Sequence, residues 1–318
     1  IPKDFRSASF VIKEPIGFYG GFDGTEVSLS DRDLFLHHTI LSGDLYGNDD
    51  PGNNISENAY HVLTAKDITS GSLIIDGFSI HSGNANVATE QFGGGVYVKG
   101  SVSVPVNIQF CRIQDNDAIR GGGISFVSQA AVLSLYKSKI VDNSASDYGG
   151  GMYQVGAASI DTCMIAGNTS PQGEGGGIIC NDDLSILNTT IVQNSAQLGG
   201  GIVVYGPTID VQNSILWGNR SVDGSTAQVQ RTQTNMSAKY SCIEDLPDDL
   251  IGNNNTGENP HFVSETGTDG QEGTGDENFR LFQGSPCIDA GDNSMVTTML
   301  DLDGLSRFID DPYTVDTG

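Results

Sequence analysis

The residues best able to do chemistry in this chain recur at one spacing. Arg112 and Lys139 stand 27 residues apart, and so do Asp115 and Asp142. If that interval is one turn of a coil, two cations stack on one column and two carboxylates on another. Stacked cations could hold a sugar carboxylate or neutralise an enolate during β-elimination. Carboxylates that close raise one pKa, as an acid–base pair requires, or bind Ca²⁺. Lys137 lies beside Lys139 and Arg120 falls at a nearby corner, so four basic residues gather on neighbouring coils. Tyr97 and Tyr153, outward on the next run of strands, could stack a sugar ring or donate a proton. The candidate catalytic set is therefore Arg112, Lys139, Tyr153, Asp115 and Asp142, with Tyr97, Arg120 and Lys137 as binding residues. Each group also has a plain structural reading. The cations could pair with Asp115, Asp117 and Asp142, and an aspartate before a turn asparagine is ordinary corner chemistry.

Metal ligation has weaker signals. Asp301-Leu-Asp-Gly304 is like part of a calcium loop but lacks the later acidic residue of an EF-hand, which makes Asp301 and Asp303 the candidate ligands for a structural Ca²⁺. Asp49 and Asp50 are equally generic. His37 and His38 are adjacent, so only one can face out of a strand, and His61, His81 and His261 have no metal spacing. No GxSxG, Walker or dinucleotide motif is present.

A repeat positions these residues. Glycine triplets begin at Gly93, Gly121, Gly149, Gly175 and Gly199, and each is followed by an apolar strand-like phrase. A second phrase ends in Asn116, Asn143, Asn168, Asn194 and Asn219, at steps of 27, 25, 26 and 25 residues. A fixed period in this range with strand-like phrases is the mark of a solenoid. The alternation of apolar residues predicts an all-β, right-handed parallel β-helix with two or three strands per turn. The asparagines would form a structural ladder, each taking the left-handed corner and bonding to the coils above and below. Coils are expected over residues 1–243, with Asn84 or Asn86 at an early turn and lateral loops at 45–59, 85–92 and 222–237. Residues 244–318, acidic and rich in Gly and Asn, should hold an irregular loop and a C-terminal β segment packing on or continuing the helix.

The bulk numbers narrow the partners. Forty acidic against fifteen basic residues give a net charge of −25, which repels nucleic acid and anionic lipid. No run of about 18 apolar residues exists, so no membrane-spanning helix is expected. Five cysteines without a CxxC read as small buried hydrophobes rather than a zinc site or a disulfide framework. The chain opens at Ile1 in mid-pattern and closes at Val315-Asp-Thr-Gly318, as a trimmed product would. The ends of a β-helix expose unpaired strand groups, so end-to-end or homo-oligomeric assembly is a further expectation.

The glycine and asparagine phrases resemble the repeats of bacterial polymorphic outer-membrane-protein-type adhesins. Tyr19-Gly-Gly-Phe-Asp-Gly-Thr-Glu26, Asn259-Pro-His-Phe262 and Ser285-Pro-Cys-Ile-Asp-Ala-Gly-Asp-Asn293 resemble secreted β-helix proteins of the choice-of-anchor group. That resemblance covers most of the chain and implies a bacterial protein, secreted or at the cell surface, with an anchoring segment beyond Gly318. It supplies no catalytic residues. The leading expectation is a structural or adhesive module that binds glycans; the alternative is a polysaccharide lyase or glycoside hydrolase on the same scaffold. The regular middle, where β-helix enzymes break pattern, favours the first, and whether the chain is an enzyme stays open.

Overall fold

The computed structural model describes residues 5–49, 54–225, 227–232, 234–272, 275–296 and 298–307. The chain winds as a β-solenoid whose coils stack strand on strand into parallel sheets. One coil shows how. Leu133–Tyr136 turns Leu133 and Leu135 inward and Ser134 and Tyr136 outward, by the two-residue period of a strand. A single left-handed residue, Lys137, makes the corner into Lys139–Val141, and Asp142 makes the next into Ser144–Tyr148. Gly149, at φ 66°, then leads into Met152–Gln154. We number the four resulting sheets in this order.

Four strands per coil exceed the two or three expected from sequence. The additional sheet is the third, whose inward residues are Ala85, Ala118, Ala145, Ser170 and Ala196, all buried. Alanine and serine carry little hydrophobic signal, so this face hides in the sequence. The other sheets are built on continuous columns. Ile108, Leu135, Ile160, Ile186 and Val211 are in register on the first sheet, and Ile113, Ile140, Ile165, Ile191 and Leu216 on the second. Val96, Ile124, Met152, Ile178 and Ile202 form the column of the fourth. All are buried in one continuous core, each side chain contributing about 2 kcal/mol of apolar burial.

Two side-chain ladders run along this core. Asn116 Nδ2 donates to Asn143 Oδ1 at 2.9 Å, Asn143 to Asn168 at 3.0 Å, Asn168 to Asn194 at 2.9 Å and Asn194 to Asn219 at 2.9 Å. Each acceptor oxygen also takes the backbone N–H of the asparagine one coil earlier. The asparagines do not adopt the left-handed conformation expected of them. The preceding residue does: Asp115, Asp142, Gly167, Gln193 and Gly218. The corner strain thus falls on one residue and the polar stacking on the next. The third glycine of each triplet gives the ladder its room: a Cβ at Gly151 would lie 2.7 Å from Gly177 O and 3.1 Å from Asn168 Cγ. At the corner between the first and second sheets, hydroxyls repeat the device. Cys163 N donates to Thr189 Oγ1, Thr189 N to Ser214 Oγ, and Ser214 N to Ser241 Oγ.

Both ladders end on amides from less regular segments. Asn219 Nδ2 donates to Gln228 Oε1 at 2.6 Å, and Ser241 N to Asn255 Oδ1 at 3.0 Å. At the other end the asparagine ladder stops at Gly83, whose N–H donates to Asn116 Oδ1, so neither Asn84 nor Asn86 holds that position.

Residues 222–237 are not the lateral loop expected. Val229–Arg231 and Asn235–Lys239 add strands to the fourth and first sheets, and Cys242–Ile243 completes that coil on the second. Beyond it, Phe262–Ser264 pairs antiparallel with Asn278–Leu281. This hairpin lies on the outer surface of the second sheet, where Phe262 and Phe279 pack with Val141, Ala166, Val192 and Trp217 as a second apolar cluster. The phrases at 259–262 and 285–293 meet here: Ser285 is fully buried with its hydroxyl on Pro260 O, and Asn213 Nδ2 donates to Asp292 O at 2.9 Å. Residues 308–318, including the expected C-terminal cut, lie outside the described residues. Among the described residues no helix is long and apolar enough to cross a membrane.

Candidate functional site

The sequence candidates divide between two faces of the solenoid. Arg112 and Lys139 are direct neighbours on the second sheet, as their spacing predicts, and Asp115 and Asp142 occupy the left-handed corners that follow. Tyr97 and Tyr153 face out from the fourth sheet with Ser125 in register between them, and Arg120 ends the third sheet beside them. The single basic-and-aromatic site imagined from sequence is therefore two separate surfaces.

On the second sheet the C-terminal segment folds over the column of cations. Lys139 Nζ pairs with Asp303 at 3.1 Å, and Arg280 pairs with the same carboxylate at 2.8 Å. Arg112 is exposed and donates from Nε to Gln114. A cleft of about 840 Å³ runs between coils and cover, lined by Arg112, Lys139, Asp142, Glu277 and Arg280 among others. Burial, and then the Asp115 charge, push the Asp142 carboxyl up to about 6, with Arg112 opposing and Glu277 reinforcing. Lys137 sits at the corner with its ammonium 5.8 Å from the Tyr136 ring and 6.0 Å from Phe110. Its pKa is lowered by burial first and by Arg307 next.

Asp301 and Asp303, the sequence candidates for calcium, lie in this covering segment. Asp301 Oδ1 accepts the backbone N–H of Asp303 at 3.0 Å and of Leu305 at 2.7 Å. Asp303 faces Lys139 and Arg280. Burial works against its charge, yet the two cations hold its carboxyl below the usual range. These are the contacts of a structural clasp between the C-terminal segment and the second sheet.

The fourth sheet carries an aromatic surface that spacing alone could have found. Phe92, Arg120 and Tyr148 stand 28 residues apart, each just before a glycine triplet. They stack in space: the Arg120 guanidinium lies 5.6 Å from the Phe92 ring and 5.2 Å from the Tyr148 ring, and its Nη2 pairs with Asp147 at 3.2 Å. Such sandwiches contribute about 0.5–2 kcal/mol per ring and hold the cation rigid. Phe92 stacks on Tyr97 at 5.7 Å and meets Tyr153 at 5.9 Å, while Tyr148 and Tyr153 approach at 6.4 Å. Lys99 Nζ stands 4.6 Å over Tyr97. Behind Tyr97, His61 bridges Gly93 O and Glu90, both at 3.0 Å. Burial, then the Glu90 charge, raise the Tyr97 pKa, so that phenol stays neutral. The expected residues here were Tyr97, Tyr153 and Arg120; Phe92, Tyr148, His61 and Glu90 were missed. Comparison with known proteins yields no match to a family model, a curated protein or a solved structure.

Proposed function

We propose that the chain is a structural, adhesive β-solenoid module that binds a glycan on the aromatic face of its fourth sheet. One observation carries this reading: four aromatic rings and one clamped guanidinium form a continuous, half-buried platform. Sugar rings present C–H faces that pack on aromatic rings, and a fixed guanidinium suits the hydroxyls or a carboxylate of the same sugar. Secretion to a bacterial surface, in the manner of the adhesin-like and choice-of-anchor groups the sequence resembles, belongs to the same proposal. The test is a glycan array followed by affinity measurement on Tyr97→Ala and Tyr153→Ala. A drop of about tenfold or more in both supports the reading; unchanged retention, or no glycan retained at all, rejects it.

The lyase or hydrolase reading has its own support in the raised Asp142 carboxyl, which lines a cleft with Arg112 and Lys139. A carboxyl with pKa near neutrality can serve as general acid or base. Against it, the Lys139 ammonium already holds Asp303. An ultraviolet assay for unsaturated uronides, beside a reducing-sugar assay on neutral polysaccharides, decides. Turnover lost in Asp142→Asn would put this reading first.

A further inference from the structure

The loop joining Thr39–Ser42 to the next coil draws three carboxylates together. One oxygen each from Asp44, Asp49 and Glu57 lies within 4.8 Å of the others. Among the described residues none of the three has a cationic partner. Asp44 is held in place by the backbone: its carboxylate accepts from the N–H groups of Gly47 at 2.7 Å, Tyr46 at 3.1 Å and Asp49 at 3.2 Å. An acidic cluster alone would mean little, because exposed carboxylates gather readily on so acidic a chain.

The neighbouring amide changes that. Asn58 is 1% exposed, and its Nδ2 donates to Asp49 Oδ2 at 2.9 Å. Its Oδ1 is shielded from solvent and has no hydrogen-bond partner; the same holds for Asp49 Oδ1 and Glu57 Oε1. Three orphaned oxygens on three residues of one loop are costly, since each buried acceptor without a partner loses its hydration. A hard cation among the carboxylates would give Asp49 Oδ1 and Glu57 Oε1 the partner that no hydrogen bond or ion pair supplies among the described residues. Rotating the Asn58 amide about its terminal bond exchanges Oδ1 and Nδ2, so its oxygen can turn to the same point.

We propose that Asp44, Asp49, Glu57 and the amide oxygen of Asn58 form a Ca²⁺ site that fastens this loop to the first coils. The donors are all oxygen and come from an irregular loop, which suits the loose shell of six to eight ligands that Ca²⁺ accepts better than the strict octahedron of Mg²⁺. The site also has a structural position. Three residues past the paired Leu41, Ile80 and Ile113 come Asp44, Gly83 and Asn116, so Asp44 lies in line with the end of the asparagine ladder. Ala59 N donates to Gly43 O and Asn84 N to Ala59 O, both at 2.8 Å, which ties the loop to the coils on either side.

The probes are Ca²⁺ itself and Tb³⁺, whose luminescence would be sensitised by Tyr46 in the same loop. Calorimetric titration of the chelator-treated protein should give saturable Ca²⁺ binding, and millimolar Ca²⁺ should raise Tm by about 2–4 °C. Mg²⁺ should do neither at equal concentration. The double variant Asp49→Asn/Glu57→Gln relieves repulsion, so in chelator it should melt at or above the parent, and in Ca²⁺ below it. It should also lose the Tb³⁺ signal. Absence of binding heat from the parent at millimolar Ca²⁺ overturns the proposal without any variant. Equal Ca²⁺ binding or equal Tb³⁺ luminescence in the double variant overturns it too, by placing the ion elsewhere.

Discussion

The second and fourth sheets are built on the same coils, yet a distant segment covers the outer face of one, while the outer face of the other is packed by rings from its own coils. On the second sheet the outward position after each core isoleucine or leucine is Val141, Ala166, Val192 or Trp217, and the C-terminal hairpin lies on them. On the fourth sheet the outward residues are Thr64, Tyr97, Ser125, Tyr153 and Ile179, with aromatic rings gathered around Arg120. Of the basic column that looked catalytic, Lys139 is paired with the cover and Arg112 stays exposed. The aromatic surface, which looked secondary, keeps half-exposed rings and is the face proposed above to meet a ligand. Outward residues on a solenoid therefore have to be sorted by what covers them before any is assigned to function.

The strongest way to break the comparison is to remove what both faces share. Asn168→Leu leaves Asn143 N–H, Ile140 O and the neighbouring ladder amides unsatisfied in the core, a loss of about 4 kcal/mol. Thermal unfolding should move far downward, and glycan retention and the C-terminal clasp should fail together. An unchanged midpoint would contradict the ladder's role. Next, Phe262→Ala should cost about 3 kcal/mol locally and free the hairpin alone. Limited proteolysis should then cut the C-terminal segment while the coils keep their circular dichroism. Simultaneous loss of coils and hairpin would mean that the two faces are not separable.

A third experiment uses pH. Asp142 has its carboxyl raised from 3.8 to about 6, by burial first and Asp115 second, with Arg112 and Glu277 also facing it. Asp117 is raised to about 6 by burial, against a hydrogen bond from Ser144. In the folded state these groups bind protons more readily than when unfolded. Their contribution favours folding at the acid end of that window and declines as pH rises through about 6. Screening at half-exposed positions reduces each to about 1 kcal/mol. Asp303 acts oppositely, its lowered pKa giving stability that is lost only in stronger acid. Melting should accordingly be higher at pH 5 than at pH 7, and Asp142→Asn should flatten that difference. A profile equally steep in the variant would remove Asp142 from the account.

The smallest effect concerns the clasp. Lys139→Ala breaks a partly exposed ion pair and should change stability by less than about 1 kcal/mol. If glycan retention falls with it, the covered face contributes to binding and the division drawn here is wrong.

Much of this was legible in the sequence because a solenoid writes its contacts at a fixed interval. Arg112 over Lys139, and the isoleucine columns, follow from counting alone. The third sheet did not show, because alanine fills its core positions. The sequence predicted a C-terminal β segment packing on or continuing the helix but not where it docks, since Lys139 meets Asp303 across 164 residues and such a contact leaves no local pattern. One clue was present: Gln114, uncovered, heads a column that continues Val141, Ala166, Val192 and Trp217. Apolar residues in outward strand positions ask for a partner. The proposed calcium loop was visible only as a polar interruption with Asp49 a generic acidic candidate, because its ligands converge through turns rather than through a period.

The two amides that end the ladders have a consequence for how such a chain changes length. Every asparagine bond points the same way, so the stack is directional, like a queue in which each member faces the next. Gln228 accepts from the last Asn219 amide and donates back to its backbone oxygen, and Asn255 accepts the Ser241 N–H through its side-chain oxygen. Neither terminator reads how many coils precede it. Excision of residues 144–168 would join Asn143 to Thr169 and keep both queues unbroken, whereas loss of a single residue from the same coil would turn its side chains inside out. Evolution can therefore lengthen or shorten this rod by whole coils, and small-angle scattering of the excised chain would register the shorter rod with its two ends unaltered.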